Sequence, residues 1–166
     1  ISSDETRHYL NGIYLHKTNL EDKSFLTGVA TDSHRLSSSS LEINKNIIFE
    51  PIILPKKTIF QLITLLEQTS SKIKVSNNKS KVKFVMDSGI LISKVIDGRF
   101  PDYSKVIPKD NNKILQIKLN EFKNSIERVT SVSLDRKEGF KMTLGKDSLK
   151  LSVNSPNSGE GVENIK

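Results

Sequence analysis

The sequence predicts an α+β fold in which helices pack on antiparallel sheet. Three observations carry this. The order strand, helix, hairpin occurs twice along the chain; Val82, Phe84 and Met86 recur at a period of two, alternating with lysines at 81 and 83; and Ile59, Leu62, Ile63 and Leu66 follow the three-and-four spacing of a helix face. Only 35% of the 166 residues are apolar, too few for one large core. Small repeated units, each with a helix stripe covering a short sheet and neighbours extending that sheet, resolve the shortage.

Arg7 to Lys17 reads as two extended segments around a tight turn at Asn11-Gly12, with Leu10, Ile13 and Leu15 as apolar contacts. Asn19 to Ser24 reads as a polar loop, Phe25 to Val29 as a strand, and the four serines from 37 to 40 as an exposed strand. Pro55 sits where a helix starts without losing an amide bond, and Lys56 and Lys57 fall off its apolar face. Strands follow at Ile73 to Val75, Val82 to Met86 and, after Asp87-Ser88-Gly89, Ile90 to Ile96. A second unit starts with Ile114, Ile117 and Leu119. Asn120 caps a helix carrying Phe122, Ile126 and Val129, and a hairpin follows with Phe140, Met142 and Leu144 on one strand and Leu149, Leu151 and Val153 on the other. The stretch Asn154 to Gly159 is turn-rich. Between the units, Asp97 to Tyr103 reads as a boundary, bent at Gly98, restricted at Pro101, with Phe100 and Tyr103 packing at a seam.

Composition excludes whole classes of chemistry. With no cysteine there is no disulfide scaffold, thiolate zinc site or thiol nucleophile. Glu50 and Pro51 interrupt the greasiest stretch, so no membrane span of roughly 20 residues is readable and an intracellular protein is expected. The chain opens on Ile1 with no signal-peptide pattern and reads as an excised piece of something longer. Net charge is +7, with 14 basic and 11 acidic groups in residues 1–103 and 12 and 8 in residues 104–166. A dispersed positive field favours polyanions, but it equally describes a lysine-rich solvated surface.

The candidate enzyme constellation is Asp32 with His34, an acid orienting an imidazole base beside the hydroxyl of Ser33 or Thr31, as in a small hydrolase. Neighbours on an extended segment alternate faces, so a capped turn competes with it. Asp97 and Asp102 form a dispersed carboxylate pair with neither hydrolase nor metal-loop spacing, and the chain has no phosphate-loop or dinucleotide-turn motif. No cofactor and no metal site is expected.

His8-Tyr9-Leu10-Asn11-Gly12, then Val29-Ala30-Thr31-Asp32-Ser33-His34-Arg35-Leu36, then Val95-Ile96-Asp97-Gly98-Arg99-Phe100-Pro101-Asp102-Tyr103 closely resemble motifs of bacterial DNA polymerase III beta subunits, the sliding clamps. The resemblance implies the DNA clamp fold, with residues 1–103 a partial middle domain and 104–166 a partial C-terminal domain. It implies a cytoplasmic, non-catalytic processivity factor of a DNA polymerase complex, associated with the nucleoid during replication. As a full-length homodimeric ring it would encircle duplex DNA and tether the DNA polymerase III catalytic subunit, the clamp loader, repair polymerases and other proteins that carry clamp-binding motifs.

Carried over by position, the resemblance implies a partner-peptide groove of Leu10, Thr31, Ser33, His34, Arg35, Leu36, Pro101, Lys105 and Val106, with an apolar floor and a polar rim. Family members often have Gly where Ser33 stands and Arg where Lys105 stands. Lys keeps the charge but loses the planar fork. Implied DNA contacts are Arg7, His8 and Tyr9 beside the ring, and Lys56, Lys57, Lys123 and Arg128 on or beside lining helices, held loosely and without base specificity. Val132 is an implied dimer contact. The alternatives are the hydrolase above, or a protein-binding scaffold that does not encircle DNA.

Overall fold

The structure is a computed structural model, described over residues 1–68, 72–133 and 139–166. It divides into two compact units, Ile1–Val106 and Ile107–Lys166. Among the described residues no helix is long and apolar enough to cross a membrane.

The first unit opens with a 3-10 helix, Glu5–Leu10, rather than the extended segment expected there. Asp4 causes the difference: its carboxylate accepts from the Thr6 amide (2.9 Å), the Thr6 hydroxyl and the Arg7 guanidinium, tying the chain into a turn. Strands β1 (Gly12–Leu20), β2 (Lys23–Thr31), β3 (Leu36–Ile43) and β4 (Ile52–Pro55) then form an antiparallel sheet in the order β3-β2-β1-β4. Gly12 is required for close approach, not for a turn: a Cβ there would collide with the Leu54 carbonyl oxygen of β4. The expected polar loop at 19–24 is mostly strand. β1 and β2 are joined through Glu21 and Asp22 alone, and Ser24 donates to the Asn19 side chain across the ladder. The serine-rich β3 is exposed, as its composition predicts.

Helix α1 (Lys56–Glu67) starts directly after Pro55, whose extended conformation (φ −61°, ψ 145°) ends β4. Its packed stripe is Ile59, Leu62 and Leu65, with Thr58 buried and bonded to Ser93; the expected members Ile63 and Leu66 lie on the exposed side. A stripe advancing by three residues per turn drifts backwards around the 3.6-residue helix, and the neighbouring sheet selects that drift. β5 (Lys74–Asn77), β6 (Lys81–Met86) and β7 (Gly89–Lys94) form a second sheet with β6 in the middle.

Two cores result. Val82, Phe84 and Met86 of β6 pack with Ile52 and Leu54 beneath α1, each large side chain contributing roughly 1.5–3 kcal/mol by burial. Ile53 points the other way and packs with Leu10, Val29 and Phe100. β4 is therefore buried on both faces, which is why Ile52-Ile53-Leu54 is a continuous apolar run without alternation.

In the second unit, residues 113–118 pair with no strand among the described residues, although a strand was expected there. α2 (Leu119–Thr130) begins after Lys118 without a side-chain cap, so Asn120 lies inside the first turn and does not cap it. β8 (Lys141–Leu144), β9 (Leu149–Ser155) and β10 (Gly159–Ile165) form a three-stranded sheet with β9 central. Leu149, Leu151 and Val153 are buried under Phe122, Ile126 and Val129. The repeat thus pairs β9 with β6, one strand later than the hairpin alignment expected, and Met142 and Leu144 on the edge strand β8 are exposed. β10 was missed altogether; its glycines and alternating acids mask a strand whose Gly161 lets the Val129 carbonyl approach.

Candidate functional site

Leu10, Thr31, Ser33, His34, Arg35, Leu36, Pro101 and Val106 line one pocket of about 450 Å³, together with Asp102 and Tyr103. Every lining residue belongs to the first unit. Leu10 ends the 3-10 helix and is 3% exposed; below it Val29, Ile53 and Phe100 form the supporting core. Phe100 belongs to that core, stacked on Tyr14 with ring centroids 4.8 Å apart.

The β2–β3 connection forms one wall and holds itself in shape. Asp32 Oδ1 accepts from the backbone amides of His34 and Arg35, both at 3.1 Å, and Oδ2 accepts from Arg35 Nε at 2.9 Å. These bonds, the Arg35 and His34 amides first, hold the Asp32 carboxyl down at about 2. Thr31 donates its hydroxyl to the Arg35 carbonyl and accepts from the Ser33 amide. The loop turns at Ser33, which has φ 77°, a conformation easier for glycine. His34 and Arg35 project to solvent.

This arrangement removes the hydrolase alternative. The Asp32 oxygens engage backbone amides and Arg35 instead of orienting the His34 ring, and His34 lies exposed on an open wall. Asp97 and Asp102 line one cavity, but Asp102 is engaged by its own turn. Asp102 caps the short 3-10 turn Tyr103–Lys105 by accepting from the Ser104 amide and hydroxyl, and the Ser104 hydroxyl, chief among several contacts, lowers its pKa. Among the described residues, no cluster of three or more His, Asp or Glu side chains can hold a metal ion.

Lys105 is the one expected groove residue outside the lining. Its ammonium turns back to Asp102 at 3.6 Å and is well exposed, a loose rim pair of small energetic weight. Asp102 and Tyr103 were missed as lining residues. The Asp-x-Ser cap pattern was the available signal, since it curls the chain and turns Tyr103 inward.

Of the expected DNA contacts, Arg7 pairs with Asp4 at 2.8 Å and donates to Ser33 Oγ, His8 donates Nε2–H to the Asp97 carbonyl, and Tyr9 packs beside the Leu10 core. Lys56 and Lys57 stand exposed in the first turn of α1, and that turn has no acidic residue. On α2, Lys123 faces Glu127 at 3.9 Å, whereas Arg128 is held firmly by Glu163, which also accepts from the buried Ser125. Glu163 raises the Arg128 pKa, and Arg128 in turn, with Ser125, lowers that of Glu163. Val132 is half-buried against the core of its own unit and touches the Gly161 position.

The family model for the central domain of DNA polymerase III beta subunits matches residues 1–102, and that for their C-terminal domain matches residues 104–166. The chain belongs to the DNA polymerase III beta subunit family. The beta sliding clamp of Caulobacter vibrioides is 36% identical over 166 residues, covering 99% of this chain and 45% of that protein. The beta sliding clamp of Escherichia coli K12 is 30% identical over 163 residues, covering 98% and 43%. The fold is that of solved sliding clamps: a Caulobacter crescentus clamp superposes with TM-score 0.96 at 35% identity, covering 100% of this chain and 44% of the other. A Bartonella birtlesii DnaN clamp bound to griselimycin superposes with TM-score 0.93 at 36% identity, covering 99% and 45%. The chain spans less than half the length of the curated sliding-clamp relatives it matches.

Proposed function

We propose that this chain is part of a processivity clamp that, as a full-length homodimeric ring, encircles duplex DNA and tethers the replicative polymerase, with no chemistry of its own. The supporting observation is the pocket itself: three stretches separated by up to about 90 residues in sequence meet around Leu10, Thr31 to Leu36 and Pro101 to Val106. An apolar floor with a polar rim suits a short linear peptide with aliphatic or aromatic anchors, apolar burial supplying affinity and the rim setting register. Clamp-loader subunits and repair polymerases that carry such a motif would compete for it. Tethering raises the local concentration of the bound enzyme at the template, so losing one contact does not release it.

Loose, sequence-independent DNA contact is assigned to Lys56 and Lys57, because cations in the first turn oppose the helix dipole and are retained there against local stability. Arg7, His8 and Tyr9 form a secondary contact strip, and Lys123 a weaker one. Arg128 contributes least, its charge being matched by Glu163. Val132 belongs to the dimer contact, and the ring works in the cytoplasm at the nucleoid.

The test loads the full-length protein onto primed circular DNA with its clamp loader and then linearises the circle. Release through the new ends is expected. Retention would replace encirclement with tight binding by a scaffold. Separately, Leu36→Ala is expected to weaken binding of griselimycin or of a labelled peptide with leucine and phenylalanine anchors at least several-fold, and unchanged affinity would remove the pocket from the account.

A further inference from the structure

A second cavity, of about 500 Å³, lies on the other side of the Pro101-Asp102-Tyr103 stretch and shares those three residues with the peptide pocket. Its aromatic wall is continuous. Phe100 stacks on Tyr14, Tyr14 stacks on His16 with centroids 4.4 Å apart, and His16 meets the edge of Tyr103 at 5.7 Å. His16 Nε2 and the Tyr103 hydroxyl are 3.1 Å apart. The phenol is the stronger acid and donates, so Nε2 accepts and the ring proton lies on Nδ1. Burial pushes the His16 pKa down, favouring this neutral acceptor, and raises that of Tyr103, keeping its proton in place.

Among the described residues, no other directed bond braces this wall from behind. Asp102 is committed to Ser104 and Lys105, and Pro101 donates nothing. β1 pairs with β2 at His16, which lies opposite Thr27, and with β4 over Gly12–Leu15 just before it, so a side chain fixed to this strand is an anchor for a loop.

We propose that His16 is a positioning residue for the peptide pocket: from outside, through the Tyr103 hydroxyl, it holds the Pro101–Val106 wall in the geometry that receives a partner peptide. The proposal rests on that pocket being the peptide site. It assigns a role to two positions, His16 and its stacking partner Tyr14, that do not touch the pocket, and it makes the Tyr103 hydroxyl, not only its ring, part of recognition.

The experiment measures binding of a fluorescein-labelled peptide with leucine and phenylalanine anchors by anisotropy at pH 7.5, in the whole chain. His16→Phe keeps the ring stack and removes the acceptor; Tyr103→Phe keeps the lining ring and removes the donor. Each is expected to weaken binding roughly 2- to 10-fold, the range of one hydrogen bond. His16→Gln restores an acceptor and is expected to bind within about twofold of wild type, and the double Phe variant is expected to be no weaker than the weaker single. Wild-type affinity in Tyr103→Phe, additive losses in the double variant, or a His16→Gln as weak as His16→Phe would each overturn the positioning role. If His16→Phe fails to fold, Tyr103→Phe decides alone. A peptide whose affinity is indifferent to Leu36→Ala would instead overturn the assignment of the pocket.

Discussion

Arg7 donates from Nη1 to the hydroxyl of Ser33 across 26 positions of sequence, clipping the opening 3-10 helix to the tip of the β2–β3 loop. Ser33 holds φ 77°, so the clip fastens a residue in a conformation that non-glycine side chains avoid at a cost of about 1–3 kcal/mol.

Glycine at position 33 would relieve that strain while giving up an exposed hydrogen bond and adding freedom to the unfolded chain. Ser33→Gly is therefore expected to leave stability within about 1 kcal/mol of wild type. Ser33→Val, β-branched and without the acceptor, is expected to be destabilised by more than 1 kcal/mol. Urea unfolding of the three proteins measures the ordering, and a valine variant as stable as the glycine one would contradict it.

Gly12→Ala should be among the costliest single changes in the first unit. The new methyl group meets the Leu54 backbone carbonyl, which cannot move without opening the β1–β4 ladder and the core on both faces of β4. A loss of about 1–3 kcal/mol or more is expected in chemical denaturation. Ala at Gly139, where a Cβ meets nothing within 4 Å, is the matched control and should be nearly silent.

His16 imposes a pH dependence of definite sign. Its folded pKa is below the ordinary histidine value of 6.5, so between the two values the unfolded chain binds the extra proton and stability rises with pH. The contribution of neutral His16 is present above 6.5 and is lost as pH falls through the folded value. Asp97, Asp102, Lys79 and Arg99 line the same cavity as mixed charges, and burial of His16 outweighs the opposing hydrogen bond with the Lys17 backbone. Thermal midpoints of wild type should fall more steeply than those of His16→Phe between pH 7 and 5. Parallel curves would count against it.

Glu163 acts in a separate window. Arg128 and Ser125 hold its pKa below 4.5, so its contribution stands above that value and disappears as pH drops through the folded pKa. Glu163→Gln should lower the midpoint at pH 7 and shrink the acid-induced loss below pH 4.5. An acid limb identical to that of wild type would show that the Arg128 contact carries no folding energy.

Local pattern was legible wherever a single face met a single core. Val82, Phe84 and Met86 announced β6, and Pro55 announced the start of α1, because period and turn chemistry are local properties. Elements whose form depends on partners were misread. The 3-10 helix at Glu5–Leu10 depends on which donors reach Asp4, the packed stripe of α1 on where β6 lies, and β10 on a neighbour that tolerates glycine and acid. The pocket was legible by likeness of motif rather than by spacing, and the pairing of Tyr103 with His16 escaped because that contact spans 87 positions.

By itself the sequence determined the class of fold, the repeat, the absence of thiol chemistry and the motifs that carry the clamp resemblance, since each is written in composition or short-range order. Tertiary structure alone decided that Asp32 is a loop brace and not a catalytic acid, that Arg128 is neutralised while Lys56 and Lys57 are not, and that His16 stands behind the peptide pocket. The physical reason is that a charged or titratable side chain takes its role from the partner it meets. Asp32 meets amides two and three residues on, whereas Arg128 and His16 meet partners 35 and 87 positions away, chosen only when packing brings them within hydrogen-bond distance.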